Sequence, residues 1–315
     1  MDIKYGRKRS GIKREIQRKI KDWTSTIDDE SIIKIIEKDA ILTGGAIASM
    51  LLGERINDWD FYFRTKESTL KVAEYYVKKF NESKKLETAT GVSDCAPKVC
   101  EEVITNLKGA EEERVVIFMK SSGVASDSQG TYHYFENQSV EKLEEFAETL
   151  REDESNKTRP KYRPVFLSQN AITLSDKIQL VIRFYGEPCE IHDNYDFAHA
   201  KCYYDKGENL LHFDPEAMEA MLSRTLIYRG SLYPIASIFR MKKFIERGWR
   251  ITAGQQLKIM WQIAEIDMTS HQVLREQLTG VDQAYMIELI KALKNVEPEK
   301  INSSYVGTII DRIFD

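Results

Sequence analysis

The stretch ILTGGAIASMLLGERINDWDFYFR, residues 41–64, constrains this chain more than any other part of it. It reads as a short strand (Ile41–Thr43), a Gly-Gly turn, a short helix (Ala46–Leu52), a second turn and a strand carrying Asp58 and Asp60. Side chains alternate along a strand, so a D-x-D pair sends both carboxylates to one face. Trp59, Phe61 and Phe63 fill the other face, which makes the strand half-buried with a polar side. Two ionised carboxylates on one face repel each other and are costly to hold without a cation. A hard divalent ion, Mg²⁺ or Mn²⁺, relieves that cost, because it takes carboxylate oxygens together with substrate phosphates. Gly44 and Gly45 ahead of a helix start let backbone N–H groups approach a triphosphate closely, where the helix dipole favours the anion.

Gly44, Gly45, Leu51, Leu52, Gly53, Arg55, Asp58 and Asp60 together form a pattern of Gly-Gly, Leu-Leu-Gly-x-Arg and Asp-x-Asp. This pattern resembles the nucleotidyltransferase superfamily related to DNA polymerase beta, and most closely the head domain of bacterial poly(A) polymerases and CCA-adding enzymes. The resemblance covers about two dozen residues. Where that variant usually has Arg-Asp in the short helix, this chain has Ala48-Ser49. The resemblance implies an α+β fold: a mixed sheet flanked by helices, followed by an all-helical C-terminal region. It also implies a two-metal site on Asp58 and Asp60, with a third carboxylate from a neighbouring strand. The candidate is Asp196, set between Tyr195 and Phe197 in NYDFAHAKCYYD; Asp176, Asp193 and Asp205 are the alternatives, as is a site with no third carboxylate. The segment 178–205 has a looser likeness to nucleotidyltransferase-like proteins of bacteriophages and large viruses. Gly44, Gly45, Ala46 and Ser49 are the candidate phosphate contacts. Arg55, Arg183, Arg224 and Lys243 complete the candidate nucleotide contacts. Arg183 can equally pair with a carboxylate, and His199 reads as a packed histidine.

The 315 residues suffice for a full core and divide into a basic helical arm (1–30), a catalytic domain (31–213) and a helical region (214–315). Net charge is −4, so no global basic field advertises nucleic acid. Charge is uneven, however: Lys4, Arg7, Lys8, Arg9, Lys13, Arg14, Arg18, Lys19 and Lys21 crowd the first 21 residues against only Asp2 and Glu15. Such an arm can neutralise the phosphates of a nucleic-acid acceptor, although a solvated helix face has the same composition. A second basic cluster runs through 224–247. Cys95, Cys100, Cys189 and Cys202 lack zinc spacing and fit a reducing cytoplasm. No run is long and apolar enough to span a bilayer. The expectation is a protein of the cytoplasm, or a phage- or virus-encoded one acting in the host cytoplasm.

Elsewhere, periodicity predicts helices over 12–23, 28–37 and 68–83, an irregular polar stretch over 84–112, and a strand over 113–120. A further strand is expected over 131–137, a charged helix over 139–153, and a charged linker over 151–164. AITLSDKIQLVIRF reads as two strands joined by a Ser-Asp-Lys turn. A helix capped by Asp214 and Pro215 follows, then one from Pro234 to a Gly248 cap, then helices near 254–267, 269–278, 282–295 and 303–313. Their aromatic and Met stripes are expected to pack inward.

The expected activity is transfer of an NMP from an NTP to an acceptor hydroxyl, with release of pyrophosphate. An RNA 3′ end is the expected acceptor, with a protein or small-molecule hydroxyl as the alternative. A nucleotidyltransferase-like domain kept only for binding is the non-enzymatic alternative. A dinucleotide oxidoreductase is excluded, since GGAIAS lacks the G-x-G-x-x-G spacing.

Overall fold

The computed structural model describes residues 6–87, 96–105, 111–118, 161–168 and 170–267, with positions 273 and 277. It divides into two compact units, one of residues 1–123 with 153–223, the other of residues 124–152 with 224–315. The strand expected at 131–137, the helices at 139–153, 282–295 and 303–313, and the linker up to residue 160 lie outside the described residues. So does the helix at 269–278 except for positions 273 and 277.

The first unit is built on a seven-stranded mixed sheet. Its strands are β1 (Ala40–Thr43), β2 (Trp59–Phe63), β5 (Pro164–Leu167), β6 (Ala171–Leu174), β7 (Ile178–Val181), β8 (Tyr203–Asp205) and β9 (Leu210–His212). Their order is β5-β6-β7-β2-β1-β8-β9. Only β2 and β7 pair in parallel; the other neighbours are antiparallel. The expected strand–turn–strand over AITLSDKIQLVI is present as β6 and β7, with Asp176 at φ 60° in the turn between them.

One face of this sheet is apolar because β2 alternates. Trp59, Phe61 and Phe63 are buried there. Helices α1 (Arg9–Thr24), α2 (Glu30–Asp39), α4 (Lys66–Glu87) and α6 (Pro215–Ser223) belong to this unit as well. Trp23 of α1 packs its ring 4.9 Å from that of Phe61 and donates its indole N–H to Tyr76 Oη of α4 at 2.7 Å. The Asp29 carboxylate caps α2 by accepting the Ser31 N–H at 2.8 Å.

Helix α1 is part of this core rather than a free basic arm. Ile12, Ile16, Ile20 and Trp23 recur at helical spacing and are all buried to within 1 %. Cations of this helix turn back onto the protein, Arg9 to the Leu211 carbonyl and Lys19 to the Asp176 carbonyl, while Arg7 just before it pairs with Glu15. Arg14, Arg18 and Lys21 form the exposed side. Replacing Ile16 with alanine is therefore expected to cost about 2–5 kcal/mol, read as a lowered chemical-denaturation midpoint. An unchanged midpoint would mean that α1 is not part of the cooperative unit.

The stretch expected to be irregular contains a strand, β3 (Lys98–Thr105), paired along its whole length with β4 (Glu111–Phe118). Glu101 and Glu102 hide this strand from a hydrophobic pattern. Lys66 of α4 bridges Glu101 and Glu113 and ties the hairpin down.

In the second unit the expected all-helical character is modified. Strands β10 (Thr225–Leu226) and β11 (Arg250–Ile251) pair in parallel beside helices α7 (Pro234–Glu246) and α8 (Ala253–Ala264). Gly248, at φ 82°, follows α7 as the expected cap. Helix α8 reverses the expected packing. Its inward side is Gln255, Ile259 and Gln262, whose amides accept hydrogen bonds from Tyr228 and Ser231, while Leu257, Met260 and Trp261 are exposed.

Candidate active site

The Gly-Gly turn forms because β1 ends at Thr43 beside Asp60 of β2 and must reverse immediately into α3 (Gly45–Leu52). Gly44 makes that reversal at φ 91°, ψ −153°. This is a region open essentially only to glycine. A Cβ at Gly44 would stand 2.8 Å from Asp60 Oδ2. The turn is thus closed against the carboxylate. Gly53, at φ 69°, ends the helix as a left-handed cap.

The role of Gly44 differs from the one expected. Its N–H is spent on the Ala200 carbonyl at 3.1 Å and is not offered to a ligand. The N–H groups that open α3, at Gly45 and Ala46, have no intrahelical acceptor. Gly45 is exposed and a Cβ there would meet nothing within 4 Å, so it leaves open space at the helix start.

Asp60 is half-buried and lies within β2, whereas Asp58 lies just before it. Desolvation, and then the charge of Asp58, push the Asp60 carboxyl up to about 7. A carboxylate held this way is a site that lacks a positive charge. Both residues fit a divalent cation on chemical grounds, being hard oxygen donors whose repulsion the ion would relieve.

A segment far along the chain completes the surroundings. Helix α5 (Pro188–His192) and the turns after it pass over β1. His192 Nε2 lies 2.8 Å from Thr43 Oγ1, which also approaches the carbonyls of Ala200 (3.3 Å) and Cys202 (3.1 Å). Burial, aided by Lys201, pushes the His192 imidazole down to about 4. The ring is therefore neutral at pH 7, and an Nε2–H donated to Thr43 leaves the threonine hydroxyl proton for a carbonyl. Tyr195 brings a buried hydroxyl close to Asp60, Tyr62 and Thr43, without a hydrogen bond of ordinary geometry. Burial raises that phenol well above its usual range. No local sequence motif marks the side chains of Thr43, His192 and Tyr195 as neighbours of one another.

Asp196 is buried, as expected of a site residue, but it is not on a strand. It lies on a bend between α5 and a short helical turn at Ala198–Ala200. Among the described residues no group of three or more His, Cys, Asp or Glu side chains is placed to hold a metal ion, so Asp58, Asp60 and Asp196 do not form one. Asp205 is occupied elsewhere: it pairs with Arg64, which also pairs with Glu187, and accepts the Glu208 N–H. His199 is buried within the short turn, its ring centroid 6.2 Å from that of Phe197.

The remaining candidates divide. Ala46 is buried and Ser49 half-buried on α3, and Arg55 is exposed after it. Arg183 is buried and donates to Asn170 Oδ1 at 3.3 Å, which gives it a structural partner. Arg224 and Lys243 lie in the second unit. There the Arg224 guanidinium sits 5.8 Å from the Trp249 ring centroid, and Lys243 is exposed on α7.

The sequence profile of the Gabija anti-defense 2 family matches residues 14–224, two thirds of the chain and nearly all of the first unit. The chain belongs to this family. No curated protein matches it in sequence. Solved structures similar to this chain include the Thermotoga maritima CCA-adding enzyme complexed with tRNA, at 11% identity and TM-score 0.34 over 93% of this chain and 53% of that one. A tRNA-processing enzyme with CTP matches at 11% identity and TM-score 0.36, covering 90% of this chain and 57% of that one. The Bacillus stearothermophilus CCA-adding enzyme in complex with CTP matches at 13% identity and TM-score 0.33, covering 83% and 50%. The chain thus spans about half the length of these proteins. Among the described residues no helix is long and apolar enough to cross a membrane.

Proposed function

We propose that this protein is a metal-dependent nucleotidyltransferase that acts against the Gabija defence system named by its family. One observation carries the reading. A glycine-only turn at the start of α3 closes against a desolvated aspartate, Asp60, which has a second carboxylate, Asp58, beside it. This brings an opening for phosphates and a demand for positive charge to the same few ångströms.

In this reading Asp58 and Asp60 hold the cation. A bound Mg²⁺ supplies charge neutralisation at the phosphates and lowers the pKa of a hydroxyl bound to it. The chain's own residues do the positioning. The open N–H groups of Gly45 and Ala46 hold the triphosphate end of an NTP, and Ser49 lies one turn further along the same helix. Thr43, fixed by His192 and two carbonyls, keeps β1 in register beside Asp60. Orienting the reactants and neutralising charge provide most of the rate in such a transfer. The exposed cations of α1, Arg14, Arg18 and Lys21, and the basic stretch 224–247 are the surfaces for an RNA acceptor. A protein acceptor in the defence system is the alternative. NTP binding without turnover is the second reading, favoured by Ala48-Ser49 in the short helix of the motif.

The test incubates the full chain with each α-³²P-labelled NTP and Mg²⁺ or Mn²⁺, in extract from cells carrying the Gabija system, beside the Asp58→Ala/Asp60→Ala double variant. Label entering RNA or protein only with the intact carboxylates is expected. In parallel, the two forms are expressed in those cells during phage infection. Full anti-defence activity from the double variant without any labelling by the native chain would overturn the transfer reading.

A further inference from the structure

The face of the sheet that carries Asp60 continues in register across its neighbours. Thr43 of β1 pairs with Asp60, Asp60 pairs with Gln179 of β7, and Gln179 pairs with Thr173 of β6. Paired residues project to the same face, so these four side chains form one polar row across four strands. Ile178 and Leu180, the neighbours of Gln179 on its own strand, are fully buried on the opposite side. Gln179 is half-buried, like Asp60, and stands about 4.8 Å from it in the strand-to-strand direction. Among the described residues no hydrogen bond engages the Gln179 amide. A half-buried amide with no partner is costly unless a ligand or water takes it up.

The alternative carboxylates are placed otherwise. Asp205 is paired with Arg64, and Asp196 lies on a bend outside any three-membered metal-binding group. The polar side chain that the sheet sets directly beside Asp60 is neutral.

We propose that Gln179 is the third protein ligand of the cation site, through its amide oxygen. This rests on the reading of Asp58 and Asp60 as cation ligands. The consequence is electrostatic. Two protein charges neutralise one divalent ion, so the nucleotide-free protein holds a single ion. A second ion is accommodated only with the charges that a triphosphate brings. Amide oxygens are ordinary ligands for hard divalent cations, weaker than carboxylates because they bring no charge.

The test is Mn²⁺ binding to the full, nucleotide-free chain, read by the electron paramagnetic resonance of free Mn²⁺. Four forms are compared: native, Gln179→Asp, Gln179→Leu and Asp60→Asn, each checked by thermal melting. The native protein is expected to bind one ion. Gln179→Asp, which adds a charge at contact distance, is expected to tighten binding by about tenfold or more. Gln179→Leu is expected to weaken it several-fold, and Asp60→Asn to abolish it. Tightening by aspartate without weakening by leucine would place position 179 beside the ion without the amide binding it, and overturns the proposal. If both Gln179 variants bind as native while Asp60→Asn does not, the proposal fails and the carboxylate site stands. If Asp60→Asn also binds as native, the carboxylate site fails with it.

Discussion

Replacing Asp60 with asparagine is expected to abolish metal-dependent nucleotide transfer and, at pH 8 without metal, to make the protein more stable. The two effects have one cause. Asp60 sits desolvated beside Asp58 with its carboxyl pushed up to about 7. Its ordinary value is near 4. Between those values the folded protein holds a proton that the unfolded chain has released. Where the native state binds more protons, stability falls as pH rises. The metal-free protein therefore loses stability from about pH 4 to pH 7 through this group, and the loss is complete above it. Asparagine is neutral throughout and escapes the loss. Melting temperatures in the presence of a chelator should then separate at pH 8, with the variant higher, and converge near pH 4–5. Divalent metal should stabilise the native protein at pH 8 and lose its grip below pH 7, where a proton competes for the same carboxylate. Turnover in the variant should fall by at least about a hundredfold, the scale seen when one preorganised charge-stabilising group is removed. Native and variant melts that coincide at pH 8 would show that Asp60 is not held under this stress.

Local patterns made the framework of the proposed site legible. Asp60 opposite Trp59 and Phe61, and the glycines before a short apolar helix, are signals spanning a few residues, and the structure keeps them as β2, the turn and α3. Gln179 could not be found this way. The role proposed for it rests on the parallel pairing of β7 with β2, a contact far apart in sequence that no periodicity encodes. Asp196 misled for a related reason. Tyr195 and Phe197 around it imitate strand alternation, yet the chain has only just left α5 through a turn at Asp193 and Asn194. Helix α1 misled through its charge. Its cations suggested an arm, but Ile12, Ile16, Ile20 and Trp23 lie on one side at helical spacing and decide the packing. Long basic side chains can border such a seam with their heads in solvent, so composition alone says little about whether a helix is buried.

The glycine pair offers the second large effect, and the two residues should behave differently. Alanine at Gly44 must adopt φ 91°, ψ −153°, a conformation that costs about 1–3 kcal/mol for a residue with a Cβ. Its methyl group would also stand 2.8 Å from Asp60 Oδ2, closer than real contacts allow, so the carboxylate or the turn must move. The turn has little freedom to do so, because the Gly44 N–H is tied to the Ala200 carbonyl and Thr43 beside it is held by His192. Gly44→Ala is therefore expected to lower stability by about 1–3 kcal/mol. It is also expected to abolish Mn²⁺ binding along with turnover. Gly45→Ala is the control. It begins α3, meets nothing within 4 Å and needs no unusual backbone angle. Alanine also favours a helix over glycine, so stability there should hold or rise slightly. If Gly45→Ala keeps its stability and Mn²⁺ affinity but binds NTP more weakly, the open space at the helix start is where the phosphates approach. If Gly44→Ala melts and binds Mn²⁺ like the native protein, the turn is not braced against Asp60, and the joint that defines this site does not exist.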